Sequence, residues 1–469
     1  MVRYSQVMKG VAMRSFGRWG TVAVCFLAWN TMAGGSRDTM GQRPVLLSGT
    51  LEFETAELLK ARYGNGANRN SMLTLDHVWF GHTIGKLHVD AEPSSSLRLL
   101  GSFEFRQYFT EVPYNSLAFN QFGDLQWHAF YLREAQGIFS LFKNKQWSLE
   151  MALGYLPYKY NPDVRGLGEF LFRSGTYPFY LLGEFDEPFA RLTGLRCGFT
   201  YANDIIGVKS DIFALTEREI MPLYDLSLAA IVGVNVMKIV DIGGGIDLAR
   251  IIPVDSRITT PEIIGQHGGT TRTNTDAQYV SAAGDTGYYT FKGTKVMVRL
   301  TIDPLGMLRG DKGSLLRRIA GENGGKIYGE WAIIGIEDYP ANRLNPYGYD
   351  AVDQKMPWMA GITIPSWKIL DICTIEVEHY PSPYPNSYQP IAISGQPLPD
   401  GTLTYDFRRW YWSLCMEKQI VKHFSIVAQV GRDHHRREIN PSQSFEYDFE
   451  EAMARPDQWG WHVKTVVNF

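Results

Sequence analysis

Residues 224–236 read YDLSLAAIVGVNV, and this stretch decides the fold. Tyr224, Leu226, Leu228, Ala230, Val232, Val234 and Val236 fall on one face of an extended chain. Asp225, Ser227, Ala229, Gly233 and Asn235 fall on the other, with Ile231 the exception. Period two is the mark of a strand, because successive side chains of an extended backbone point to opposite sides. The next run repeats it, with Val240, Ile242, Ile246 and Leu248 set against Asp241, Gly243, Gly245 and Asp247. Leu97, Leu99, Phe103 and Phe105 alternate with Arg98, Ser102, Glu104 and Arg106. Trp410, Trp412, Leu414 and Met416 alternate with Arg409, Tyr411, Ser413 and Glu417. Such runs last about ten residues, beyond the five or six of an ordinary strand and enough for a tilted strand to cross a bilayer.

One face of these strands is apolar and aromatic; the other mixes acids, bases, Ser and Gly. A soluble sandwich would bury the first face against a second sheet. Charges of both signs on strand after strand suit a wide aqueous interior with lipid outside. Connections sort into two kinds. Short turns are expected near residues 92–94, 143–145, 202–204, 237–238, 365–367 and 418–423, with one longer turn over 304–325. Long segments rich in Gly, Pro, Asn and Tyr lie near 58–71, 109–123, 158–188, 217–223, 252–287, 339–355, 382–404 and 438–458. Strict alternation of seven turns and eight loops predicts a closed antiparallel transmembrane β-barrel of about sixteen strands, within a range of 14–18.

Composition agrees. The 469 residues include 25 Phe, 25 Tyr, 12 Trp and 46 Gly. No apolar run reaches the roughly 18 residues of a membrane-spanning helix. No basic block accompanies the net charge of -3, so nucleic acid is not an expected partner. Residues 1–33 read as a signal peptide. Arg3, Lys9, Arg14 and Arg18 precede the apolar stretch WGTVAVCFLAW at 19–29, and Thr31-Met32-Ala33 follows. Its removal takes four bases from 46 and none of the 49 acids, leaving a mature charge of -7. Cys197, Cys373 and Cys415 remain, too few and too odd for a disulfide framework. No linker or repeat divides residues 34–469, which read as one domain.

The chain ends WGWHVKTVVNF, with Trp459, Trp461, Val463, Thr465, Val467 and Phe469 on one face and Gly460, His462, Lys464, Val466 and Asn468 on the other. A terminal aromatic on an alternating strand resembles the assembly signal of Gram-negative outer-membrane barrels. Taken together, the mature chain resembles a bacterial porin of general or substrate-specific type. The resemblance implies location in the cell outer membrane, contact with its lipid, insertion by the barrel assembly machinery through Phe469, and a homotrimer. It also implies that the loop between strands five and six, residues 158–188, folds into the lumen and narrows it. The polar residues that would line the constriction are Asp163, Arg165, Glu169, Arg173, Glu184 and Asp186. Alternation points Arg98, Glu104, Arg106, Glu150, Arg196, Lys209, Asp211, Asp225, Asp241, Lys295, Arg299, Glu330, Glu376 and Glu378 inward as the lumen wall.

Charges of both signs across a narrow lumen set up a transverse field that small polar solutes tolerate and apolar ones do not. The expectation is passive diffusion with mild cation preference. Stacked aromatics would instead make a slide for sugars, and the residue pattern leaves both open. A different class of reading is a non-conducting barrel that binds or adheres through its long loops. Neither enzymatic chemistry nor a cofactor is expected, since no GxSxG, HExxH or Ser/His/Asp grouping is present. Asp433-His434-His435 is metal-like in composition, but strand neighbours point apart, so it reads as a solvated rim. Gly243-Gly244-Gly245 reads as a place where the wall bends.

Overall fold

In the computed structural model the chain forms a closed barrel of sixteen antiparallel strands. The structure describes residues 45–63, 73–111, 126–173, 189–217, 225–252, 278–280, 284, 286–288, 293–307, 324–336, 351–383, 409–434, 436–438, 447–451, 453 and 457–469. The expected leader over 1–33 lies outside them, and Val45–Phe469 is one compact unit. The first eight strands are β1 (Leu46–Tyr63), β2 (Leu73–Ser94), β3 (Leu97–Glu111), β4 (Gln126–Lys143), β5 (Trp147–Tyr158), β6 (Ala190–Ala202), β7 (Ile206–Thr216) and β8 (Leu226–Val236). The others are β9 (Val240–Ile252), β10 (Gly293–Ile302), β11 (Ile327–Ile333), β12 (Trp358–Thr363), β13 (Ile372–Tyr380), β14 (Arg409–Val421), β15 (Phe424–Arg432) and β16 (Gly460–Asn468). Each pairs with its successor, and β1 closes on β16 with Thr50 opposite Asn468 and Leu58 opposite Gly460. Strand number and the alternation of short and long connections agree with the sequence reading. Closure leaves the barrel no unpaired edge.

The solvent pattern is inverted. Phe53, Phe103, Phe105, Phe130, Ile212, Val232, Ile242, Val298 and Ile375 stand exposed on the outer surface. Among the largest fully buried side chains are Arg106, Arg250 and Arg432. Outward aromatics gather at both ends. At the long-loop end Trp79 meets Trp461 at 5.4 Å, Trp358 meets Trp410 at 5.5 Å, and Trp412 meets Trp459 at 6.5 Å. At the short-turn end Trp147 meets Tyr201 at 4.3 Å and Phe199 at 5.2 Å. Such girdles suit amphipathic rings at a boundary between hydrocarbon and water.

The interior departs from the expected uniform polarity. From β5 to β12 the inward positions include Leu156, Leu192, Phe213, Leu215, Ile231, Met297 and Met359, all buried in one cluster with Val164, Leu167, Phe170, Leu171 and Phe172 of the loop after β5. The inner face of this half of the wall thus mixes buried apolar side chains with buried charged ones such as Asp211, Lys295 and Glu330, and it receives a packed segment of the chain's own loop. Ile231, the exception to alternation, belongs to this seat.

Candidate functional site

Tyr158 ends β5, and residues 159–173 then turn into the barrel, finishing in the one-turn helix α1 (Phe170–Arg173). Two causes hold this segment. The first is apolar. Phe172 packs edge-on against Tyr158, Tyr160 and Phe213 at centroid distances of 6.0, 6.2 and 5.8 Å. Burial of each large apolar side chain contributes roughly 1.5–3 kcal/mol. The second is a latch. Backbone N–H groups of Arg165, Gly166 and Leu167 donate to Glu376 at 2.6, 2.8 and 3.0 Å. Gly168 donates to Glu378 at 3.0 Å, and Glu169 and Phe170 to Glu330 at 3.1 and 2.9 Å. Leu171 donates to the Tyr160 hydroxyl at 2.9 Å, which itself donates to Glu330 at 2.6 Å. Burial and the Glu330 charge push the Tyr160 phenol well above its ordinary range, so it keeps the proton in that pair. Seven successive N–H groups that would otherwise be orphaned inside the barrel are thus satisfied. Gly168 and Glu169, at φ +76° and +64°, supply the left-handed turn that aims these groups at the wall.

The sequence-derived residues fall into distinct places. Asp163 accepts from Thr301 Oγ1 and Lys326 Nζ, both at 2.9 Å, near the short-turn end. Glu169 is fully buried and accepts from the Asn161 N–H at 2.5 Å, so it ties the loop to itself and does not line an opening. Arg165 is half-buried at the loop apex. Arg173 closes α1, while Glu184 and Asp186 lie outside the described residues. On the wall, Glu330, Glu376 and Glu378 do not face open lumen. They are buried beneath the loop as its acceptors. Glu104 takes Arg133 at 2.6 Å and also Arg106. Arg196 and Lys209 pair with Asp211 at 2.7 and 3.5 Å, Asp225 lies 3.6 Å from Arg250, and Arg299 pairs with Asp241 at 2.6 Å. Arg98 pairs with Asp90 at 2.5 Å at the short-turn end. Lys295 is buried opposite Asp247 in register, and Glu150 is half-exposed on β5.

Sequence reasoning missed the ion pairs that β1 makes with its neighbours β2 and β16. Lys86 pairs with Glu52 at 2.8 Å, and Lys464 lies 3.3 Å from Glu52 and 3.5 Å from Glu54. Shared parity of Lys86 with His82 on β2 was the signal. The Asp433-His434-His435 reading is corrected in part. His434 is buried, not solvated, with Nε2 at 2.5 Å from Glu378 Oε1 and its ring 4.2 Å from Tyr411. His435 lies outside the described residues, and among those described no three His, Cys, Asp or Glu side chains could hold a metal ion.

Two cavities flank the loop. One of about 350 Å³ follows β1, β2 and β14–β16 and is lined by Glu52, Glu54, His82, Lys86, Arg106, Glu417, His462 and Lys464. The other, of about 460 Å³, opens at the short-turn end between Asp163, Lys238, Asp241, Asp303, Lys326 and Thr374. Arg165 belongs to both linings.

No family model and no curated protein matches the chain. Among solved structures it is similar to a mutant of the porin of Rhodopseudomonas blastica, at 7% identity over 91% of this chain and 100% of that one, with a TM-score of 0.40. It is also similar to OmpT of Vibrio cholerae, in-vitro folded and in trimer form, at 11% identity over 91% of this chain and 99% of that one, with a TM-score of 0.39.

Proposed function

We propose that the protein is an outer-membrane pore through which small polar solutes diffuse passively. The observation that carries the reading is the double segregation of the barrel. Its outer surface is an apolar band between aromatic girdles, which hydrocarbon would cover. Inside, one half is filled by the latched loop, while the other half keeps a polar wall along β1, β2 and β14–β16. The loop would be the constriction, with Arg165 at its edge and Glu52, Glu54, Lys86 and Lys464 opposite. On that wall the acids are offset by bases, so selectivity is weak, and the mature charge of -7 tilts it toward cations. Passage needs no reacting side chain and no cofactor. Insertion through Phe469, a homotrimeric assembly and location in the bacterial outer membrane follow from the same reading.

Purified protein in planar bilayers should give stable ion conductance. Heat-modifiable migration on gels without conductance would favour the adhesive scaffold instead. Replacing residues 159–188 by a short Gly-Ser turn should enlarge single-channel conductance. Because that uncovers Leu192, Phe213 and Ile231, gel migration must first show a folded barrel. A folded variant of unchanged conductance would remove the loop from the constriction.

A further inference from the structure

The apex of the loop carries a guanidinium for which the latch provides nothing. Arg165 is fixed through its backbone N–H to Glu376. Its side chain makes no ion pair among the described residues, and its Nε is buried without a hydrogen-bond partner. The opposite wall is different, since Glu52 and Glu54 are already paired with Lys86, Lys464 and His82. Arg165 also stands in the lining of both cavities, so a solute entering either one meets it. Glu417, half-buried in the first cavity, likewise has no ion pair among the described residues.

Building on the pore reading, we propose that Arg165 is a docking point for the carboxylate of small organic acids at the neck of the channel. A guanidinium presents a planar fork of N–H donors that matches a carboxylate with two parallel bonds. A half-buried fork short of acceptors gains more from such a partner than a hydrated one does. A single fork, backed by the Glu376 carboxyl group at its own backbone, binds weakly enough for the solute to leave, as conduction requires. Glu417 keeps the neck from becoming generally anion-selective, so the effect is on carboxylate solutes and not on bulk ion preference.

The test uses the full mature barrel in planar bilayers with potassium chloride, and succinate as the probe. Succinate on one side should depress the wild-type current saturably, while erythritol, uncharged and of similar size, should not. R165Q keeps the backbone latch and should need several-fold more succinate for the same depression. R165K keeps the charge without the fork and should fall between them, which carries the test if R165Q fails to fold on gels. Succinate sensitivity unchanged in either folded variant would overturn the docking point, as would a conducting wild-type channel indifferent to succinate. A wild-type barrel with no conductance would overturn the pore reading itself, a separate outcome.

Discussion

A single carboxylate, Glu376, shows how the loop depends on acceptors placed far away in sequence. It accepts three successive backbone N–H groups and the Tyr328 hydroxyl, the last at 2.9 Å. In E376Q one acceptor oxygen becomes an NH₂ group facing donors. Leaving a buried donor unsatisfied costs about 1–3 kcal/mol, so the latch should loosen while the barrel, held by its own ladder, remains. Trypsin should then cut folded E376Q after Arg165 or Arg173 at least several-fold faster than wild type. Equal cleavage rates would show that the apolar seat alone holds the segment. That Glu376 and Glu378 share a face was legible from spacing. Their target was not, because it lies some 210 positions away and consists of backbone that any residue could supply.

At the scale of strands and turns, most of the architecture was legible, because period two and turn chemistry are local signals. What escaped was the use made of inward small residues. Gly243 and Gly245 were expected to let the wall bend; what spacing did not show is that they also clear space. A Cβ at Gly243 would lie 2.6 Å from Arg299 Nε, and one at Gly245 would lie 3.0 Å from Leu171 Cδ2. The wall does need glycine at Gly154 and Gly194, which face each other across β5 and β6 with φ of +136° and +147°. A Cβ at either would lie 2.1 Å from a backbone carbonyl oxygen of the neighbouring strand, and neither strand can yield without losing its register. G194A should therefore cut the yield of folded, heat-modifiable barrel sharply, whereas G85A, with open space around its Cβ, should match wild type. Equal yields for both would mean that the strands absorb the clash by shifting together.

For the whole molecule, the inversion of the usual solvent pattern is what made the fold readable: a rolled sheet with hydrocarbon outside must write its apolar face on alternate residues of nearly every strand. The loop broke that rule inside β5–β12, where Leu192, Phe213 and Ile231 face inward to receive it, so the half-filled interior was hidden behind an otherwise regular code. The seam where the chain closes separates folding from assembly. Phe469 joins β1 by two backbone bonds, accepting from Gly49 N–H at 2.9 Å and donating to Gly49 O at 3.0 Å. Both survive in F469A. The ring itself is 68% exposed, with Gly49 beneath it, so its removal should cost the finished barrel less than about 1 kcal/mol. On the proposed reading, an aromatic so exposed at the closing seam would act before closure. In cells, F469A should accumulate heat-modifiable barrel several-fold more slowly than wild type. Purified F469A that has folded should melt within a few degrees of wild type and conduct with the same amplitude. Normal assembly kinetics combined with a lowered melting temperature would reverse the assignment and make the ring a packing element of the seam.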